Sequence, residues 1–143
     1  MKASLSFIDP KEDPLYASEK DLRFRVLREP LGMGRHQVTF AGELEGLHLV
    51  ALAGDVVVGC VLFDFPSGRL RAMAIDASRQ RTGLGRELVE RLEEELRAKH
   101  GVQEVRLHAR ETAVPFYERL GYSLVGEPFI EVVLPHRAMV KRI

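Results

Sequence analysis

Gln80-Arg81-Thr82-Gly83-Leu84-Gly85 lies between a strand-like run, Leu70 to Ile75, and a strong helix signal that begins near Leu84. Two glycines at the mouth of a helix let the backbone turn its N–H groups toward one point. That point also sits at the positive end of the helix dipole, so its natural occupant is a phosphate or pyrophosphate. Arg79, Arg81 and Arg86 add positive charge around the same place. The pattern predicts a phosphorylated ligand held where a strand hands over to a helix.

Working outward, the helix is the clearest element. Leu84, Leu88, Leu92 and Leu96 recur every four residues up to His100, with Val89 beside them, and Gly101 ends the run. One stripe packs on a sheet, and the acidic run Glu93-Glu94-Glu95 reads as the solvated face. Upstream, Leu47 to Ala53, Val56 to Phe65 and Arg69 to Ile75 are strands joined by Gly54-Asp55 and Pro66-Ser67-Gly68, which makes three antiparallel neighbours. Downstream, Val105, Leu107 and Ala109 alternate with Glu104, Arg106, His108 and Arg110, so Val102 to Ala109 is a strand with one polar face. A strand–helix–strand crossover implies that Leu70–Ile75 and Val102–Ala109 run parallel.

Closer to the ends the signals are shorter. Leu5 to Ile8 reads as a first strand, and Ser18 with Asp21 resembles a capping box for a helix reaching about Leu27. Glu29 to Gly34 reads as loop. Thr112 is placed to cap a short helix with Pro115 in its first turn and Gly121 closing it. Val132 to Ile143 ends the chain as a strand interrupted by Pro135. The fold class is therefore α/β (α+β): one domain over residues 1–143, with a mixed, mostly antiparallel sheet, a central parallel pair and helices on both faces.

Composition narrows the function. With 21 basic and 21 acidic residues the formal net charge is zero, without the basic excess of a general nucleic-acid binder. Cys60 is the only cysteine and lies in an apolar run, where a buried structural thiol is expected. No run reaches transmembrane length and Met1 to Pro10 lacks the apolar core of a signal peptide, so a soluble cytoplasmic protein with no membrane partner is expected. No His, Cys or carboxylate group shows metal-ligand spacing.

Nucleotide loops fit the glycine segment poorly. G-x-x-x-x-G-K-[ST] is absent, and Gly83-Leu84-Gly85-Arg86-Glu87-Leu88 lacks the third glycine of a dinucleotide fingerprint. What is left, Q/R-x-x-G-x-G/A, resembles the pyrophosphate-binding motif of the GNAT superfamily of N-acetyltransferases. Thr112 to Tyr122, T-A-V-P-F-Y-E-R-L-G-Y, is similar to that family's later motif, a helix beside the thiol of coenzyme A. Many relatives carry Asn seven residues before the tyrosine, where this chain has Arg110. The tail Glu131-Val132-Val133-Leu134-Pro135-His136 resembles the ending of some bacterial members, including the ElaA-like branch. The likeness covers roughly Val56 to Ile143.

The resemblance implies acetyl-CoA as co-substrate. Gln80, Arg81, Thr82, Gly83, Leu84, Gly85 and Arg86 would hold its pyrophosphate. Main-chain groups of Met73, Ala74 and Ile75, freed by a bulge, would hold its pantetheine arm and polarise the thioester. Phe116 and Tyr117 would lie by the sulfur, with Tyr117 as the acid for the leaving thiolate. His136 and Glu131 are candidate bases, with His108 a third. A base is needed because neutralising a lysine-like amine at pH 7 costs roughly 4–5 kcal/mol. The acceptor, a small-molecule or peptide amine, would contact Arg25, Arg28, Glu29, Arg35 and His36, and a homodimer is compatible with the family. Two alternatives stay open: a non-catalytic acyl-CoA-binding sensor or interaction module of the same fold, and a nucleotide-binding protein unrelated to coenzyme A.

Overall fold

The computed structural model describes residues 2–143. Among the described residues seven strands form one sheet: β1 (Ser4–Ile8), β2 (Leu47–Ala53), β3 (Val56–Asp64), β4 (Arg69–Ile75), β5 (Glu104–Arg110), β6 (Ser123–Glu131) and β7 (Leu134–Arg142). Their order is β1-β2-β3-β4-β5-β7-β6, antiparallel throughout except for β4 beside β5. Three helices, α1 (Leu15–Arg23), α2 (Leu84–His100) and α3 (Val114–Arg119), cover the two faces. β3 is buried along nearly its whole length because it is covered on both sides, which is why it reads as an unbroken apolar run.

Alternation divides the core into two layers. Leu49, Phe63, Leu70, Leu107 and Ala109 pack with the leucine stripe of α2 and with Tyr117 of α3. Val50, Cys60 and Ala74 pack with Leu22 of α1 on the opposite face. Leu70 and Ala74 lie on opposite faces although four residues apart, which a regular strand does not allow. One inserted residue explains it. The β3–β4 register shifts between Cys60 and Leu62, and Ala72 there has φ 56°.

Several local expectations are corrected. α1 begins at Leu15, whose N–H donates to Asp13 Oδ1 at 2.9 Å. Ser18, one turn inside, accepts the N–H of Val57 at 3.1 Å and ties the helix to a strand end. Beyond Arg23 the helix widens into a π turn, Phe24–Arg28. Thr112 caps nothing: it sits in a 3-10 turn, Glu111–Ala113, and α3 starts without a side-chain cap. Gly121 closes α3 at φ 97°. The tail is a hairpin, with Val132 and Val133 at φ 48° and 57° turning β6 into β7, and Pro135 lies within β7 opposite Ile130. Glu93 is buried, not solvated. It borders the leucine stripe, where it accepts the Tyr122 hydroxyl at 2.7 Å and Lys141 Nζ at 2.9 Å.

Candidate active site

β4 and β5 pair only at Arg69–Arg106 and Leu70–Leu107 and then diverge. The edges beyond that point have no ladder partner across the gap. A cleft of about 900 Å³ fills it. The bulge at Ala72 falls where the divergence starts, and Met73, Ala74 and Ile75 continue along one wall. The sequence therefore builds the opening by adding one residue to a central strand.

The glycine loop forms the mouth. Gly83 is the N-cap of α2 at φ 88°, a left-handed conformation that a side chain would strain. A Cβ there would meet nothing within 4 Å, so the surrounding space is open. The first intrahelical bond runs from Glu87 N–H to Gly83 C=O, 3.1 Å, leaving the N–H groups of Leu84, Gly85 and Arg86 ahead of it without helical acceptors. A Cβ on Gly85 would stand 3.2 Å from the Phe116 ring, so this glycine lets α2 rest against α3. Arg81 and Arg86 are exposed at the rim. Such a mouth suits a phosphate ester. Gln80 donates to the Ile75 carbonyl at 3.2 Å and Thr82 to the Arg79 carbonyl at 2.5 Å, so both shape the loop.

Tyr117 lines the same cleft, 6% exposed, edge-on to Phe116 and Tyr122. Burial pushes its phenol well above the ordinary tyrosine value, so it holds its proton throughout the working pH range.

On the α1 side, β5, β6 and β7 bring together His108, Glu131 and His136. His108 Nδ1–H donates to Glu131 Oε1 at 3.0 Å. His136, buried, donates Nδ1–H to the Leu134 carbonyl at 2.8 Å, which leaves its Nε2 as the acceptor nitrogen, 3.9 Å from Glu131 Oε2. Burial disfavours the Glu131 carboxylate, but the His108 hydrogen bond, with Arg69 and His136 nearby, outweighs it and lowers the pKa. Glu131 is thus held as a carboxylate, and the Nε2 of His136 is the ring nitrogen left without a hydrogen bond to the backbone.

The charged lining is otherwise arginine: among the described residues nine arginines line the cleft beside one carboxylate, Glu131, and of these Arg23 is paired with Glu19 and Glu43 and Arg86 with Glu90. Of the loop residues expected at the acceptor, Arg28 lines the cleft. Arg25 pairs with Asp21 and Asp76, and Arg35 with Asp21.

A second polar cluster lies behind α1. Arg23 donates to Glu19 at 2.9 Å, to both Glu43 oxygens at 2.8 Å and to the Val38 carbonyl at 2.7 Å. Tyr16 donates to Glu43. Both nitrogens of His48 face acceptors, Glu19 at 2.9 Å and the Glu43 carbonyl at 2.7 Å. Burial alone would discharge His48, but Glu19 and Glu43 hold its pKa above the ordinary value. Ligand-type atoms of Glu19, Glu43 and His48 lie within 4.8 Å of one another, and the Arg23 guanidinium supplies the positive charge they share.

A family model for the acetyltransferase (GNAT) domain matches residues 35–143. The chain belongs to the GNAT acetyltransferase family. A Bacillus subtilis protein named "Putative acetyltransferase BSU40680" is 33% identical over 97 residues, which span 66% of this chain and 65% of that protein, slightly under two thirds of its length. In fold, the chain matches Escherichia coli ElaA with a TM-score of 0.86 at 16% identity, covering 98% of this chain and 99% of the other. It also matches an aminoglycoside 6′-N-acetyltransferase complexed with coenzyme A, TM-score 0.77 at 22% identity, covering 97% and 96%.

Within this GNAT fold the residues expected at the cofactor end line one cleft: Met73, Ala74, Ile75, Gln80, Arg81, Gly83, Gly85, Arg86, Phe116 and Tyr117. Leu84 turns into the core and Thr82 faces solvent. His136 and Glu131 join the cleft from the other side. Sequence reading missed Arg69, Arg71 and Phe40. The signal available was the Arg69-Leu70-Arg71 alternation, which places both arginines on the face opposite the α2 core. No helix among the described residues is long and apolar enough to cross a membrane.

Proposed function

We propose that this protein transfers an acetyl group from acetyl-CoA to a primary amine by direct attack. The observation that carries the reading is the single cleft between diverging β4 and β5, which runs from the open mouth of α2 past Tyr117 to His136. Bound there, acetyl-CoA supplies the thioester carbonyl at which the amine forms a C–N bond as the C–S bond breaks. The α2 mouth and Arg81 and Arg86 hold the pyrophosphate. Main-chain donors beside the Ala72 bulge meet the negative charge that develops on the carbonyl oxygen, a placement worth several kcal/mol when donors are preorganised. His136 Nε2 takes the first proton from the ammonium and passes it to solvent, with Glu131 stabilising the imidazolium. The second nitrogen proton returns to the departing sulfur through the Tyr117 hydroxyl. The products are the amide, the free thiol and one proton.

Thiol release from acetyl-CoA with a panel of amines tests this. Tyr117→Phe should lower kcat by about 10²-fold, the low end for a lost proton donor, with coenzyme A affinity unchanged. Unchanged turnover removes Tyr117 from the chemistry. Absence of saturable coenzyme A association by calorimetry overturns the whole reading.

A further inference from the structure

Besides Arg23, which is held by Glu19 and Glu43, and Arg119 of α3, four arginines line the cleft away from the glycine loop. Arg69 and Arg71 flank Leu70, whose side chain joins the α2 layer, so both point to the α1 face. Arg110 does the same on β5 as the neighbour of buried Ala109. Arg28 reaches in from the π turn that follows α1. Arg79, Arg81 and Arg86 belong to the other end, on the loop and the first turn of α2.

The partners of these four are mostly neutral. Arg28 Nη1 and Arg110 Nη2 share one carbonyl oxygen, that of Leu27, at 3.1 and 2.9 Å. Arg28 Nε donates to the Gln37 carbonyl at 3.0 Å. Arg71 lies over the Phe40 ring at 3.6 Å. Arg69 Nη2 is 3.9 Å from Glu131, and its buried Nε has no hydrogen-bond partner. Among the described residues no carboxylate pairs with Arg28, Arg71 or Arg110. Burial, and after it the charges of Arg110, Arg23 and Arg71, press the Arg28 pKa downward. Glu131 is also engaged by His108. Like charges gathered in a half-buried cleft repel, and an arriving anion relieves that repulsion. Planar guanidinium forks fit carboxylate and phosphate oxygens in pairs.

We propose that the acceptor amine also carries an oxyanion, and that Arg28, Arg69, Arg71 and Arg110 hold it while His136 faces the amine. This rests on the transferase reading above and names the substrate class for it. A polycation is disfavoured, because it would bring positive charge into a cleft that already holds an excess.

Matched amines test the proposal: amino acids against their carboxamides, phosphoethanolamine against ethanolamine, and spermidine and an aminoglycoside as polycations. The acid should exceed its neutral partner in kcat/KM by about tenfold or more, as expected for charge-assisted bonds to arginine. The pair with the larger ratio identifies carboxylate or phosphate as the group held. Arg71→Gln and Arg110→Gln should raise KM for the anionic amine about tenfold or more while sparing kcat, the neutral partner and coenzyme A affinity. Equal use of acid and amide, preference for a polycation, or variants that weaken coenzyme A instead would each overturn it. Calorimetry of the amines on coenzyme A-loaded protein separates the two readings. Saturable binding of an anionic amine that Arg71→Gln abolishes, without thiol release, keeps the oxyanion site and defeats the transferase reading. No binding of any anionic amine overturns the oxyanion site itself.

Discussion

Arg23 and Arg71 end in the same guanidinium, yet their surroundings are opposite. Arg23, 2% exposed, is held by Glu19 and by both oxygens of Glu43, and His48 and Tyr16 complete the cluster. Arg71 lies over an aromatic ring beside other arginines. In the first region the folded chain supplies the counter-charge; in the second it leaves that charge to be supplied from outside. A satisfied ion network serves the fold, joining α1, β2 and the loop before β2. An unsatisfied one stands ready for a ligand.

The largest effect should come from breaking the satisfied region. Arg23→Met leaves two buried carboxylates without their guanidinium, held only by His48, Tyr16 and the Phe40 N–H among the described residues, and should cost about 3–5 kcal/mol in a urea titration, the usual result of removing one partner of a buried pair. A variant as stable as the parent would show that the network contributes nothing to folding.

Smaller, and sharper, is the pH dependence. His48 has a folded pKa raised above its unfolded value of 6.5, so it binds its proton more tightly when folded. Its contribution is complete below pH 6.5 and is lost as pH rises through the folded pKa. Each unit of displacement is worth about 1.4 kcal/mol. Urea midpoints measured upward from pH 6 should therefore fall on the alkaline side, and His48→Gln should flatten that fall. An unchanged slope in the variant would mean that His48 is not the titrating group.

The smallest effect belongs to the unsatisfied region. Arg110→Gln removes one of two guanidinium groups on the Leu27 carbonyl, and stability should stay within about 0.5 kcal/mol of the parent, as for substitutions outside a paired network. A loss above about 1 kcal/mol would mean that Arg110 is needed by the fold and would erase the contrast with Arg23.

The local patterns were legible. The leucine stripe placed α2 at Leu84–His100 because helical periodicity is written in consecutive residues. Gly83 marked the start of α2 because its left-handed φ leaves a glycine signature, and Gly85 marked the close approach of Phe116. The crossover rule then made β4 and β5 parallel, as they are. Ser18 and Thr112 misled because a capping residue is defined by where the chain already turns, and Asp13 and a 3-10 turn had turned it first. Val132 and Val133 concealed the tail hairpin, since β-branched residues seldom occupy positive φ.

By itself the sequence determined the periodic elements, their order and the glycine loop, all of which depend on residues close together along the chain. Only the tertiary structure decided which charges meet. Arg23 finds Glu43 across 20 residues, His108 finds Glu131 across 23, and Arg110 reaches the Leu27 carbonyl across 83. Coulomb and hydrogen-bond energies depend on distance in space, and an arginine in the sequence carries no mark of whether folding will bring it a carboxylate.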